Sequence, residues 1–434
     1  MLDVFVGNAR RRVKHVFYGW WIVAASFVIQ ALSGGLLLHG FTVYFLPLQQ
    51  EFGWSRSLIA SAFSLTRFES AFLGPIQGWA VDRFGSRIMV IIGMLLFGTG
   101  FIAFSMIQSV LTFLGAFLLL AMGASLGGFL PITATLTNWF AKKRTLAMGI
   151  AMTGMGAGGL LVALVAWSIS TYDWRSTAFV SGLMIWLIGI PTALVLRHKP
   201  EPYGYLPDGE TAPSNLDDEE GQNTSVEASQ PKEETPIWNG MTAREAMRTS
   251  AFWFISLGHG SALLVVSAVS IHLVPHLVER MGLSLTEAGG ITTFMLMMTV
   301  IGQLGGGYLA DKFEKRGLLV ACMLGHTAGL LLLAHATSVI HLFMFGILHG
   351  ASWGARGPTQ NSLRADYFGR AAFGTIMGFS SLIVMIGMIT GPIFAGWMAD
   401  QNDSYTQPFT ILAVMTGFGS LFFLFTRRPK IPTR

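Results

Sequence analysis

The sequence predicts an all-α membrane protein with twelve transmembrane helices in two pseudo-symmetric six-helix halves. Three observations predict it. Apolar residues make up 52% of the 434 and charged residues only 12%, against about 25% charged in a soluble domain. Runs of roughly 20 residues almost free of charge recur along the chain, each long enough to cross a bilayer core. The chain also repeats itself: Gly78-Trp79-Ala80-Val81-Asp82-Arg83-Phe84 returns as Gly307-Tyr308-Leu309-Ala310-Asp311-Lys312-Phe313, 229 positions later. The same offset pairs Gly53 with Gly282, Ser55 with Ser284, Trp139 with Phe368 and Gly149 with Gly378. Backbone in lipid must satisfy its own hydrogen bonds, and no run alternates like a barrel strand, so the spans are helices. Duplicated halves facing each other across a central cavity are a common build for secondary transporters.

The first half, residues 1–196, holds spans near 18–47, 56–80, 88–108, 111–138, 146–170 and 175–196. A basic start, Arg10-Arg11-Arg12 and Lys14, runs straight into the first of them, so no cleavable signal peptide is expected. Gly34-Gly35 sit at membrane depth, where the first span either breaks beside a binding site or simply kinks. Gly154, Gly158 and Gly159 in the fifth span put small residues on one face for close helix contact. Residues 197–248 link the halves. Ten of the 23 acidic residues fall within 201–240, among Pro, Ser and Asn, a composition too polar to order by burial and expected to be a flexible tether. Residues 242–248 suit a short helix on the membrane surface. The second half, residues 249–434, holds spans near 250–278, 285–310, 317–337, 340–363, 372–399 and 407–426, then a basic tail. Gly387, Gly391-Pro392 and Gly396 loosely repeat the glycines of the fifth span, and Gly357-Pro358 in the tenth is a second candidate break.

With both ends on one side, that side collects 23 of the 28 Lys and Arg, Arg364 among them, while the opposite face keeps Arg56, Arg175 and Arg280. Such a bias predicts cytoplasmic termini in an inner or plasma membrane. The basic surplus is therefore a membrane signature and implies no nucleic acid. A single cysteine, Cys322, excludes a disulfide framework and a cysteine metal site; it reads as a small buried core residue. No His/Asp/Glu grouping has metal-ligand spacing, and neither a phosphate loop nor a nucleophile elbow occurs. The sequence thus suggests no enzyme, no ATP-driven pump, no cofactor beyond a coupling proton and no obligatory protein partner.

Few charges remain inside the spans: Arg67, Arg356 and Glu69. Each costs about 2.5–3.5 kcal/mol at the bilayer centre on insertion scales, so each needs a partner or a purpose. Arg356 lies among small residues in Ser352-Trp353-Gly354-Ala355-Arg356-Gly357-Pro358. Its planar fork suits a carboxylate, with Trp353 as an apolar wall; the bland reading is a structural pairing with another helix. Arg67 lies on the stripe of Ala71, Gly74 and Gly78 and faces either a packed helix or the cavity. Glu69 points elsewhere. Loss of water favours its neutral form, which makes it the proton-carrier candidate, unless it is held in a static bridge. His39, His259, His272 and His276 fall in the first and seventh spans, where an imidazole can carry a proton or donate to an anion; an ordinary polar role is the alternative. Of these, His39 and His259 are assigned to substrate and His272 to the proton.

The repeated turns form a conformational latch in this reading: Gly78, Asp82, Arg83 and Arg87, echoed by Gly307, Asp311, Lys312 and Arg316. The aspartates either pair with these cations or face the positive N-terminus of a neighbouring helix.

These turns resemble the loop motif of the major facilitator superfamily. Within it, Trp139-Phe140-Ala141-Lys142-Lys143-Arg144-Thr145-Leu146-Ala147-Met148-Gly149, continued to Gly154, resembles the fifth-helix signature of monocarboxylate transporters, and Tyr18-Gly19-Trp20-Trp21 is a looser echo of their first-helix motif. The resemblance implies alternating access about a central site lined by helices one, four, seven and ten, with proton symport or anion exchange. Departures matter. Proton-coupled members carry an Asp and an Arg four apart in helix eight, where this chain has Thr299 and Gln303, and a first-helix Lys where it has His39. The expectation is a secondary transporter of small monocarboxylates or related organic anions, coupled to protons. The alternatives are anion exchange of the oxalate–formate type, export of hydrophobic small molecules, or a non-transporting sensor acting through the linker.

Overall fold

With the long apolar runs all helical, the chain orders into twelve membrane-length helices among the residues described. The computed structural model describes residues 16–209 and 240–430, apart from the side chains of 56, 57, 60–68, 70–72, 285 and 286. Ten helices are long and apolar enough to cross a membrane: α1 (Tyr18–Phe52), α3 (Ser86–Ser105), α4 (Val110–Trp139), α5 (Arg144–Thr171), α6 (Trp174–Val195), α7 (Ser250–Met281), α8 (Leu285–Lys312), α9 (Lys315–Ala334), α11 (Phe373–Asn402) and α12 (Thr406–Phe425). The other two, α2 (Arg56–Phe84) and α10 (residues 339–368), are as long but hold the intramembrane charges. The one β pairing among the described residues is an isolated bridge, Gly240 to Gly369.

The 229-residue offset is visible as geometry. Gly53 and Gly282 end α1 and α7 in the left-handed region, with φ of 65° and 63°, where a side chain would be strained. Ser55 and Ser284 then cap α2 and α8, each accepting a backbone N–H three residues on. Trp139 and Phe368 close α4 and α10.

The halves meet where α2 crosses α11 and α5 crosses α8. A Cβ on Gly78 would lie 2.1 Å from the Gly374 carbonyl, and one on Gly378 would lie 2.3 Å from that of Gly74. Across the repeat, Gly307 lies against Thr145 and Gly149 against the Gln303 carbonyl, at 3.0 and 2.4 Å from a built Cβ. Each contact of one crossing becomes a contact of the other when 229 is added or subtracted. Glycine is needed because backbone meets backbone there.

Gly34-Gly35 do mark an irregularity: residues Gly34–His39 form a π-turn in α1, pressed against α5 so that a Cβ on Gly34 would meet the Met155 carbonyl at 2.4 Å. Gly357-Pro358 do not break α10, which runs regularly over Ala351–Phe368; its π-turn lies earlier, at Gly346–Gly350.

Both described chain ends and residues 196–209 lie on one face, the linker face. There the expected tether is partly built into the fold. Glu201 pairs with Arg370 at 3.1 Å, and the Asp208 carboxylate accepts from the N–H groups of Ala141, Lys142 and Lys143. Composition alone hid that single carboxylates there find particular donors. The short surface helix, Ala243–Met247, opens on a Thr242/Glu245 capping box, and residues 210–239 lie outside the described part.

His198 serves in place of a cap for α3, whose N-cap is glycine. Its Nδ1 accepts from Ser86 N–H at 3.2 Å and lies 3.0 Å from Ser86 Oγ, which requires a neutral ring. Burial, then the nearby Lys199 charge, holds the ring at about 4 rather than 6.5. A lowered histidine contributes stability in full above pH 6.5 and loses it as pH falls toward 4. On going from pH 7.5 to 5 the wild type is expected to lose roughly 1–2 kcal/mol through this group, allowing for its partial exposure. In His198→Gln, which still accepts, this part of the acid slope disappears. Melting curves at both pH values check it, and equal slopes would refute the cap.

Candidate functional site

At the linker face each repeated aspartate sits on a helix N-terminus of the opposite half. Asp82 accepts from Gly374 N at 2.9 Å and from Thr375 N and Oγ1 at 2.7 Å each, at the start of α11. Asp311 accepts from Thr145 N and Leu146 N at 2.9 Å, at the start of α5. Gly374 and Thr375 are Thr145 and Leu146 shifted by 229. Of the two partners open to these carboxylates from sequence, the structure therefore uses the helix N-terminus. The motif cations turn elsewhere: Arg83 lies 5.5 Å over the Trp79 ring, Lys312 bonds Tyr308 Oη, and Arg316 pairs with Glu314 and donates to the Thr426 carbonyl. Arg87 makes no ion pair among the described residues. A second clasp, outside the motif, joins Arg144 of α5 to Asp366 of α10 at 2.5 Å, with Lys315 on the other carboxylate oxygen at 2.6 Å. Arg370 adds a bond to the Asn138 carbonyl at 2.9 Å. The linker face is closed in this conformer.

Inside the second half, α10 carries two buried guanidinium groups. Arg356, 1% exposed, donates to Gln360 Oε1 at 3.2 Å, and its Nε has no partner. Neither Arg356 nor Arg364 has a carboxylate partner among the described residues. Arg356 lies on the α10 stripe of His349 and Ser352, which packs on Gly329 and Gly325 of α9, where the small residues leave room. Its charge bears on Cys322, His259, His326 and His349. Trp353, three residues earlier, packs against the apolar cluster that includes α7, α8 and α9.

Arg364, counted from sequence among interfacial cations, is instead 2% exposed. It donates to Ser380 Oγ at 2.7 Å and Asn361 Oδ1 at 3.1 Å, and approaches His259 Nδ1 at 3.3 Å and Met377 Sδ at 3.5 Å. Met377 belongs to the apolar cluster that joins the halves, with Val81 and Ala134, so Arg364 borders the seam. Arg364 follows Arg356 by about two turns of the same helix, but its polar neighbours Asn361, Ser362 and Asp366 read as the end of a span. His326 and His349, unassigned from sequence, meet at 3.2 Å between Nδ1 atoms, fully buried.

The other candidates are dispersed. Glu69, 5% exposed, accepts from Gln77 Nε2 at 2.8 Å, and Gln77 Oε1 accepts from Ser125 at 2.8 Å, a chain from α2 to α4. Arg67 lies on α2, its side chain outside the described residues. His39 lies in the π-turn, half-buried, beside the Met155 carbonyl. His272 is not brought to any of these: its Nε2 lies 3.0 Å from the Pro392 carbonyl and its Nδ1 3.2 Å from Tyr405 Oη, at the far ends of α7, α11 and α12. Its two ring nitrogens are already engaged there, so the structure gives no support to a shared role with Glu69.

The family model of the Major Facilitator Superfamily matches residues 23–290 and 255–434. Similar proteins include monocarboxylate transporter 12-B of Danio rerio, 24% identical over 90% of this chain and 83% of its own, and human monocarboxylate transporter 11, 25% identical over 94% and 82%. Among solved structures, the Escherichia coli fucose:proton symporter superposes with a TM-score of 0.71 at 16% identity, covering 94% of this chain and 98% of that one. The proton:xylose symporter bound to a glucose analogue gives 0.69 at 14% identity, covering 94% and 96%.

Proposed function

This chain belongs to the Major Facilitator Superfamily, and we propose that it moves small monocarboxylates or related organic anions by alternating access, coupled to protons. The observation that carries the reading is the pair of buried guanidinium groups on α10, Arg356 and Arg364, with no carboxylate partner among the described residues. Such charges stay ionised in proteins and are costly at membrane depth. A carboxylate arriving along the seam offsets that cost, and a planar fork recognises it in bidentate fashion. Arg364, at the seam, makes the contact; Arg356 behind it raises the positive potential. His259, against Arg364, and His39 supply further polar contacts. The resemblance to proteins named monocarboxylate transporters supports the substrate class.

The linker face is cytoplasmic in this proposal, following the Lys and Arg bias, and the membrane is an inner or plasma membrane. Glu69 carries the proton in place of the acidic residue missing from α8, with Gln77 and Ser125 orienting its carboxylate. Reconstituted in liposomes, the protein is expected to take up labelled lactate- or pyruvate-sized acids saturably and to ignore uncharged isosteres. An imposed inward proton gradient should accelerate uptake several-fold. In Glu69→Gln that acceleration should vanish while exchange of internal for external acid continues. Uptake indifferent to solute charge would overturn the anion reading; indifference of the wild type to the gradient would favour exchange.

A further inference from the structure

We infer that the linker-face pocket between the ends of α8, α9, α10 and α12 is a binding site for a phosphate-bearing anion, with a phospholipid headgroup as its natural source. The pocket is an open one of about 590 Å³, within the volume range of small-ligand sites, about 300–1,000 Å³. Four cations line it: Lys315 and Arg316 from the start of α9, and Arg427 and Arg428 just past α12. Two carboxylates line it as well, and both are already engaged, Glu314 by Arg316 and Asp366 by Lys315 and Arg144. Arg427 and Arg428 have no carboxylate partner among the described residues, so the lining keeps a positive surplus. The first turn of α9 opens into the same space and adds the partial positive charge of a helix N-terminus.

The setting favours a lipid over a soluble phosphate. Phe313 forms part of the wall and is 67% exposed, while Phe425, two residues before Arg427, is 60% exposed. Aromatic rings on the lipid-facing rim beside clustered arginines suit a headgroup whose acyl chains stay in the bilayer. Lys315 also holds Asp366, so an anion in the pocket acts on one end of the clasp between halves.

The test uses the purified full chain in detergent, followed by thermal unfolding and native mass spectrometry. Phosphatidylglycerol is expected to raise the melting midpoint saturably by several degrees and to remain bound through desolvation. Phosphatidylcholine, with no net charge, should do neither. Arg427→Gln with Arg428→Gln should weaken phosphatidylglycerol binding at least tenfold, and the paired Lys variant should largely restore it; both positions are exposed, so folding is retained. Protection by millimolar inorganic phosphate that the Gln pair abolishes, without further gain from lipid, supports the site and assigns it to a soluble anion. Equal protection by phosphatidylcholine, or undiminished binding by the Gln pair, overturns it.

Discussion

Arg364→Gln is expected to cut uptake of a small organic acid by at least a hundredfold, and Arg356→Gln by about tenfold, with little loss of stability in the second. The reasoning begins from what the two groups lack. Where a buried arginine belongs to a structural ion pair, removing it strands a carboxylate and costs about 3–5 kcal/mol of stability. Here no carboxylate would be stranded, and Arg356 gives up one hydrogen bond of 3.2 Å. Replacing it by a neutral side chain removes an uncompensated charge, so the melting midpoint should hold or rise. Transport responds differently. A bidentate carboxylate contact out of water is worth several kcal/mol, and each 1.36 kcal/mol is a factor of ten in rate. Arg364→Lys keeps the charge but loses the fork, and an intermediate loss of roughly tenfold is expected. The distinguishing result is the order. If Arg356→Gln proves the more damaging, or if its midpoint collapses while uptake survives, the solute does not meet this charge pair.

How much of this was legible in the sequence depends on whether a feature is local or tertiary. The duplication was fully legible, because it records where backbones touch: Gly78 and Gly307 lie at equivalent crossings, and Asp82 and Asp311 reach equivalent helix N-termini. Gly53, Gly282, Ser55 and Ser284 matched for the same reason, since left-handed ends and serine caps are set by short stretches of chain. The depth of Arg364 was not legible. It lies in Asn361-Ser362-Leu363-Arg364-Ala365-Asp366, which reads as the polar end of a span. Only packing against α7 and α11 reveals that its guanidinium is enclosed. The direction of Arg356 was hidden likewise, because Gly325 and Gly329, which make room for its stripe, belong to a different helix. The His326–His349 contact joins α9 to α10, and no spacing within one helix announces it.

Asp82→Asn is expected to shift the protein toward a conformer open at the linker face while leaving solute affinity within about twofold. The carboxylate accepts three hydrogen bonds from the start of α11. An amide has the same shape, yet one of its faces donates, so a backbone N–H there loses its acceptor. Losing charge-assisted bonds at a helix N-terminus costs about 2–3 kcal/mol, which moves a two-state balance by roughly 30- to 150-fold. Asp311→Asn removes the equivalent contacts at α5. The two sites share no partner, so the effects should add. Distances between spin labels on cysteines placed at exposed Lys143 and Lys430 would read the shift, and native Cys322, 5% exposed, stays silent. The wild type should show one short distance, each single variant a mixture, and the double variant mainly the longer distance with turnover reduced several-fold. Unchanged distances together with lost solute affinity would move these aspartates from the latch to the binding site. Rescue would not be expected from Asp82→Glu, because the Asp82 carboxylate already lies 2.9 Å from Gly374 N and 2.7 Å from Thr375 N, and an extra methylene carries the oxygens out of register with those donors.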